Sequence, residues 1–210
     1  MSEVKVDKIS PRSGTDVTLG DASDTFTIPA SATLDVNGTI DVTGATVTGL
    51  SAGKVLQVVQ VTKTDTASVA NSGATIALVS TGLEGSITPA STSNKVLIFL
   101  SFNIDSYHDS YPYFQVYRDS SALTGAMGAA SGTKTRSAVQ LATQWETTQL
   151  GLNYLDSPST TSATTYKLYW GATGSGYLGT NSIYLNRSVT DSNDMYVRSA
   201  SYMTLMEIEG

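Results

Sequence analysis

Apolar and polar residues alternate along the N-terminal part of the chain, which is the pattern of a β-strand with one apolar face. In residues 25–50, TFTIPASATLDVNGTIDVTGATVTGL, six apolar side chains fall on the same parity, so an extended chain would present them together. The near-copies LDVNG and IDVTG repeat with glycine as the separator. The six apolar residues are Phe26, Ile28, Leu34, Val36, Ile40 and Val42.

A narrow ribbon of this kind has open edges and an uncovered apolar face, which other copies of the chain could cover. We therefore predict an intertwined β shaft of three chains over residues 15–53, with the six apolar side chains as its seam. The alternative is an N-terminal arm packed on its own globular domain. Residues 1–14, which contain Pro11 and Gly14, are predicted to be an attachment segment or a frayed terminus.

From Lys54 onward the strands become longer and polar turns separate them. The segment KVLIFLSFNI (residues 95–104) is apolar nearly throughout, which predicts a strand buried on both faces. No apolar stripe at helical spacing is evident, so we predict an all-β protein whose residues 54–210 form an antiparallel β-sandwich of jelly-roll type. The predicted strands are residues 55–64, 74–79, 95–104, 113–118, 138–141, 147–155, 165–170, 182–185 and 202–208.

Composition and charge restrict the partners. Charged residues make up only 14% of the 210 residues, and the net charge of −6 without a Lys/Arg cluster predicts no nucleic-acid partner. No segment approaches the roughly 20 apolar residues of a membrane span, which predicts no membrane insertion. Cysteine is absent, so disulfides and thiolate metal sites cannot form. The start MSEVKVDKIS lacks an apolar signal-peptide run, which predicts synthesis in a cytoplasm.

Four short motifs are spread over most of the chain: ISPRSGTDVTLGDASDTFTIPASATL (residues 9–34), SITPASTSNKVLIFLSF (86–102), YLDSPSTTSATTYKLYW (154–170) and SYMTLMEIEG (201–210). They resemble the C-terminal domains of bacteriophage tail fibres and related virion appendages, in particular those of marine and cyanobacterial phages. The resemblance implies a homotrimeric protein of the virion surface, made in the host bacterial cytoplasm, with a β-rich head on a thin stem whose residues 1–14 attach to the virion. The chain is short for a tail fibre, so a capsid cement or head-decoration protein, or a short spike, stays open.

The candidate contact residues are mainly tyrosines. Tyr107, Tyr111 and Tyr113 surround His108 in NIDSYHDSYPY, and flat rings with hydroxyl ends suit both sugar rings and protein partners. Tyr177 lies in the glycine-rich WGATGSGYLGTN. We predict that this segment is a second contact loop and not a dinucleotide site, because a strand follows it where such a site needs a helix. Packing in the core or at a trimer interface is the alternative role for these tyrosines.

Catalytic chemistry finds little support in the sequence. His108 is the only histidine, and Asp105 and Asp109 beside it suggest a metal or acid–base site only weakly. We therefore predict a non-enzymatic protein without catalytic, cofactor-binding or metal residues. It would mediate host adsorption by multivalent binding of its loops to a host surface glycan or protein, and its N-terminus would dock on other virion proteins. A glycan-active enzyme and a cellular adhesin are the weaker alternatives.

Overall fold

A computed structural model describes residues 9–11, 13–15, 17, 21, 23–43, 54–70, 75–106, 111–141, 147–173, 182–192 and 197–210. These residues form strands and one 3-10 turn but no α-helix, so the all-β prediction is confirmed. The chain divides into two compact units, Met1–Thr48 and Gly49–Gly210. The predicted boundaries of the attachment segment and shaft stay predictions. Among the described residues no helix is long and apolar enough to cross a membrane.

All the strands of the described residues lie in the second unit, which we call the head, and a 3-10 turn spans Thr124–Ala126. Every pairing between them is antiparallel. The strands are β1 (Val55–Lys63), β2 (Ala67–Val69), β3 (Thr75–Ile87), β4 (Lys95–Ser106), β5 (Pro112–Arg118), β6 (Ser121–Ala122), β7 (Val139–Gln140), β8 (Thr148–Asp156), β9 (Thr164–Thr173), β10 (Ile183–Leu185) and β11 (Ser201–Ile208).

The strands form two sheets. In sheet A, β4 pairs with β8 along one edge and with β11 and β10 along the other, while β1 extends from β11 and β2 from β10. Sheet B has the order β3-β9-β5-β6, and β7 also pairs with β5. One cluster of buried side chains joins the two sheets, and the rings of Phe102 and Phe114 meet across it at 4.8 Å. This arrangement confirms the predicted antiparallel β-sandwich.

Strand β4 alternates between buried and exposed residues. Its core-facing side chains are at most 3% exposed, whereas Phe99 on the opposite face is 41% exposed and Leu97 is half-buried. The prediction that residues 95–104 are buried on both faces is therefore wrong for the single chain. The apolar outer face of β4 is real, but no element of the described residues covers it. The core-facing residues of β4 are Val96, Ile98, Leu100, Phe102 and Ile104.

Strand β3 runs eight residues beyond the predicted end at residue 79, to Ile87. Glycines placed at irregular points of the ladder allow this. Gly82 has a φ of 77°, which disfavours other residues, and it lies within a register shift between β3 and β9. A Cβ on Gly85 would lie 3.1 Å from the Val61 side chain of the facing sheet, so glycine there permits a close approach of the two sheets.

Three of the four sequence motifs meet at one end of the sandwich. Residues 88–94 turn from β3 into β4, residues 157–163 turn from β8 into β9, and β11 ends at the same level, as its partner register with β4 shows. The chain also enters the head here, where the backbone N–H of Glu209 donates to the carbonyl of Lys54 at 2.9 Å. We call this the near end and the opposite end, where β4 finishes at Ser106, the far end.

Two buried carboxylates hold the near end together. The Glu207 carboxylate accepts hydrogen bonds from the Gln57 side chain and the Ala90 backbone, both at 2.6 Å, and from Asn94. Burial raises the pKa of Glu207, but the bonds from Asn94, Gln57 and Ala90 together lower it below its ordinary value. The motifs therefore coincide with structural clamps of the fold.

The second carboxylate is Asp156, which is 6% exposed. Its Oδ2 accepts hydrogen bonds from the Tyr166 hydroxyl at 2.8 Å and from the Arg118 guanidinium at 2.9 Å. Burial, and then the bond to Asp156, raise the pKa of Tyr166. The contact links β8 of sheet A to β9 and β5 of sheet B, so it bridges the two layers of the sandwich.

The described part of the N-terminal unit contains no strand. In residues 23–43 the chain forms local turns, and the six predicted seam residues are between 39% and 65% exposed. The predicted β-structure is therefore not formed within one chain, and the trimeric shaft stays a prediction.

Candidate functional site

The outer face of sheet B carries three tyrosines on adjacent strands. Tyr113 and Tyr117 lie on β5 and Tyr169 on β9, at positions that alternate with the buried residues of the core. The rings of Tyr117 and Tyr169 stack with their centroids 4.1 Å apart and an interplanar angle of 24°. This face therefore carries three phenol rings.

Tyr113 lies against a glycine of the neighbouring strand. It pairs in register with Gly171 of β9, and a Cβ at that glycine would fall 2.7 Å from the Cζ and Oη atoms of the ring. Only glycine at position 171 leaves room for the ring of Tyr113. Burial, and then the nearby Tyr117, raise the pKa of Tyr113, so its hydroxyl is protonated at neutral pH. The hydroxyl can therefore both donate and accept hydrogen bonds.

The segment between the 3-10 turn and β7 is tied down over this face. The Gln115 side chain, which points outward from β5, donates to the backbone carbonyl of Arg136 at 2.6 Å. The Arg136 guanidinium donates in turn to the carbonyls of Gly128 and Thr124, both at 2.7 Å. These bonds connect the two arms of the loop with the sheet beneath.

The loop and the sheet enclose an open groove of about 400 Å³, which we call the tyrosine groove. Its lining combines a phenolic ring, hydroxyl groups, an amide and an ammonium group. Such a lining can exchange several hydrogen bonds with a polar ligand and offers a ring edge for contact. The lining residues are Tyr113, Thr133, Lys134, Thr135, Ser137 and Gln140.

The groove lies toward the far end of the head. Tyr113 is the second residue of β5, and Pro112 before it pairs with Ala172 near the end of β9. On the same strand, Arg118 bonds to the near-end carboxylate Asp156 and lies five residues, or about 17 Å, from Tyr113. The groove and this clamp therefore lie toward opposite ends of β5. The head therefore has a structural end and an end with an open polar groove.

The structure describes only some of the predicted contact residues, and these differ in exposure. Tyr107, His108 and Tyr177 lie outside the described residues. Tyr111 directly precedes β5 and is 43% exposed, whereas Tyr113 is 8% exposed and contributes its ring to the groove wall. Because so little of Tyr113 is accessible, a flat sugar ring cannot stack on it in the present arrangement.

Several residues of the groove were not anticipated from the sequence. Lys134 and Gln140 come from the loop and from β7, and their proximity to β5 follows only from the tertiary fold. The sequence carries a signal only for the outer face beside the groove: in TTYKLYW, Lys167 and Tyr169 alternate with Tyr166, Leu168 and Trp170. Period-two alternation assigns Lys167 and Tyr169 to that outer face.

The carboxylates near the predicted loops have structural partners. Asp105 is 2% exposed, and its Oδ2 accepts the backbone N–H of Val189 at 3.0 Å, whereas its Oδ1 is buried without a hydrogen-bond partner among the described residues. Asp191 lies 2.7 Å from the Arg198 guanidinium and 3.8 Å from that of Arg187, and the hydrogen bond from Arg198 is the main cause of its lowered pKa. In the part of the chain that the structure describes, no three acidic or histidine side chains are grouped to hold a metal ion.

Comparisons with known proteins identify no family. No protein-family model matches the chain, and no curated protein matches it significantly. Among solved structures, a chain from the structure of infectious bursal disease virus Gx strain is similar with a TM-score of 0.39 and 12% sequence identity. The match covers 72% of this chain but only 36% of that chain. Similarity at this level assigns no function.

Proposed function

We propose that the protein is a non-enzymatic structural protein of a phage virion surface, a homotrimeric fibre or spike that mediates host adsorption. Its head contacts the host through the far end, and its N-terminus docks on other virion proteins. The proposal combines the four tail-fibre-like motifs with the division of the head into two ends. No cofactor enters the proposed mechanism.

The observation that carries this proposal is the position of the tyrosine groove. The chain enters the head at Lys54 on the near end, where Glu207 and Asp156 clamp the turns. The groove and Tyr111 lie toward the far end, where β4 ends and β5 begins. A head held near Lys54 thus presents polar and aromatic groups away from its attachment.

Weak single contacts are sufficient for such a protein. Three heads in a trimer, and several trimers on a particle, raise the effective concentration of the second and later contacts. A groove with hydroxyl, amide and ammonium groups suits a hydroxyl-rich surface such as a glycan, and also a polar protein surface. The capsid cement or head-decoration protein remains the second candidate, because the same motifs and sandwich would serve it.

Immunogold electron microscopy of intact particles tests the proposal. Antibodies raised against the purified full chain make a tag at Gly210 unnecessary. Such a tag could disturb the hydrogen bond that the backbone N–H of Gly210 donates to the side chain of Asn94 at 3.3 Å. Gold at the tail supports the adsorption fibre. Gold over the capsid surface would overturn the adsorption fibre and support the capsid decoration protein instead. Particles without gold, beside a positive control against a known virion protein, overturn the virion assignment.

A further inference from the structure

The outer face of sheet A carries an apolar row that crosses four strands. The ladder registers align Val58 of β1 with Met206 of β11, Met206 with Leu97 of β4, and Leu97 with Leu155 of β8. Paired residues of antiparallel strands point to the same face with their Cβ atoms about 5 Å apart. Val58 and Leu155 are 55% and 45% exposed, so the row is open to solvent in the single chain.

Further apolar side chains widen the row on both sides. Toward the near end, Val55 and Leu56 are 51% and 44% exposed at a register irregularity of β1. Toward the far end, Phe99 and Tyr202 are 41% and 40% exposed. The patch therefore extends over neighbouring rows of β1, β4 and β11, which scattered single apolar residues would not do.

The face is almost free of charge although the chain is acidic. In the four strands β1, β4, β8 and β11, which the structure describes completely, Lys95 is the only exposed charged side chain at an outward position. Asp156 and Glu207 point inward and are buried. Asp105, at the far end of β4, has the outward parity, but it is 2% exposed and accepts a hydrogen bond from the backbone of Val189. The whole chain has a net charge of −6, so most of its surface repels a second copy. The apolar face is a region where two copies can approach without that repulsion.

The size of the face also fits a copy of the chain. Four strands of about eight residues cover a flat projection of about 500 Å². A standard interface buries about 800 Å² of accessible surface on each partner, and protruding side chains expose more area than their projection. In a trimer, three such faces, one from each head, can meet around the threefold axis. Each face is then covered by its two neighbours without any further element.

We propose that the outer face of sheet A is the interface between heads of this chain, with the Val58–Met206–Leu97–Leu155 row buried at its centre. This inference rests on the homotrimer in the proposed function and names the surface that would hold its heads together. It explains why residues 95–104 are apolar on both faces: the inner residues fill the sandwich, and Leu97 and Phe99 contact the neighbouring copy.

The test is sedimentation equilibrium of the full chain from about 0.1 to 100 µM, with the variant Val58→Asp. Val58 is exposed in the single chain, so the charge affects the interface more than the fold. We expect a trimeric wild type and a Val58→Asp variant whose dissociation constant is about 100-fold higher or more, as for a central interface residue. Val197→Asp is the matched control, because Val197 is 75% exposed and lies outside the strands.

Far-ultraviolet circular dichroism shows whether each variant is folded. If Val58→Asp unfolds, the double variant Val58→Thr, Leu155→Thr decides, because threonine keeps the preference for strands while it removes apolar surface. A variant of this face that assembles like wild type overturns the interface but leaves the trimer and the virion role intact. A monomeric wild type at 100 µM overturns both the interface and the homotrimer, while the immunogold result stands independently.

Discussion

The side-chain amide of Asn94 donates a 2.5 Å hydrogen bond to the carboxylate of Glu207, and this contact joins two segments that are 113 residues apart. Asn94 ends the turn SITPASTSN, and Glu207 belongs to the terminal MTLMEIEG. Two of the four motifs that resemble the phage family, residues 86–102 and 201–210, thus each supply one partner of a single buried contact. A recurring sequence motif can mark a fold in this way without marking a binding site.

Removal of the Glu207 charge should destabilise the head. Glu207→Gln replaces one acceptor oxygen with a donor group that faces the donors of Gln57, Ala90 and Asn94. We expect the free energy of unfolding at pH 7 to fall by about 2–3 kcal/mol. Urea titration followed by tryptophan fluorescence measures it. Glu84→Gln is the control, because Glu84 is an exposed acid on sheet B, and an equal loss there would refute a specific role for Glu207.

The same carboxylate should make stability depend on pH. The folded-state pKa of Glu207 is lowered from its ordinary 4.5, so its stabilising contribution is present above pH 4.5 and is lost as pH falls through the folded value. The difference in melting temperature between wild type and Glu207→Gln should therefore become smaller as the pH falls below 4.5. Melting temperatures in buffers from pH 7 to pH 3 test this, and a constant difference would contradict it.

A methyl group at Gly171 should disturb the tyrosine groove. The new Cβ of Gly171→Ala would fall 2.7 Å from the Tyr113 ring, so the ring must move, at a cost of about 1–3 kcal/mol. Gly151→Ala is the control in another strand, because its Cβ would meet only the Leu100 carbonyl oxygen at 3.8 Å. The melting temperature should fall clearly for Gly171→Ala and should change little or rise for Gly151→Ala. Equal melting temperatures would mean that Tyr113 is not held by Gly171.

Changes within the groove should weaken adsorption without affecting the fold. Lys134→Ala with Gln140→Ala removes an ammonium and an amide group from the lining. We expect the adsorption rate of particles that carry this variant to fall about tenfold or more, since each weakened contact recurs in every head. Lys54→Ala removes a lysine at the near end as control. Unchanged adsorption with assembled particles would exclude the groove as a host contact.

Charges on the predicted shaft seam should prevent association of the N-terminal units. Val36 and Ile40 are 40% and 63% exposed in the single chain, so Val36→Asp with Ile40→Asp should leave the head folded. In a trimeric shaft the same charges would be buried against each other, which is strongly unfavourable. We expect a trimer that the heads alone hold together and that therefore dissociates at higher concentration than the wild type, as measured by sedimentation equilibrium. Thr39→Asp lies on the other parity and is the control. A dissociation constant equal to that of the wild type for Val36→Asp with Ile40→Asp would disprove the shaft.

The strand pattern was readable from the sequence because each strand has one buried face. The segment MTLMEI alternates between the core and the surface, and β11 follows that prediction within one residue. The short strands β2 and β6 are not among the predicted strands, because ASV and SA show no clear alternation of apolar and polar residues. The equally short β7 and β10 lie within the longer predicted segments 138–141 and 182–185. The end of β3 was misplaced because glycine normally signals a turn, whereas Gly82 and Gly85 continue the strand through an irregular ladder.

The groove was predictable only in part. Tyr113 was selected for the density of aromatic residues around it, but its burial depends on Gly171, which is 58 residues later and becomes its neighbour only in the sheet. Lys134 comes from a loop whose position is fixed by the bond between Gln115 and Arg136. Neither local periodicity nor composition contains such long-range pairings, so the sequence identified one member of the site without its surroundings.

The pairing of β1 with β11 has a mechanical consequence. The head begins and ends side by side at Lys54 and Glu209, so a force that separates these two residues breaks the β1–β11 ladder one pair of bonds at a time, as in a zipper. A force between Lys54 and the far end instead runs along the strands and strains many ladder bonds together. The head is therefore weak against separation of its two chain ends and strong along the line that joins the near end to the tyrosine groove.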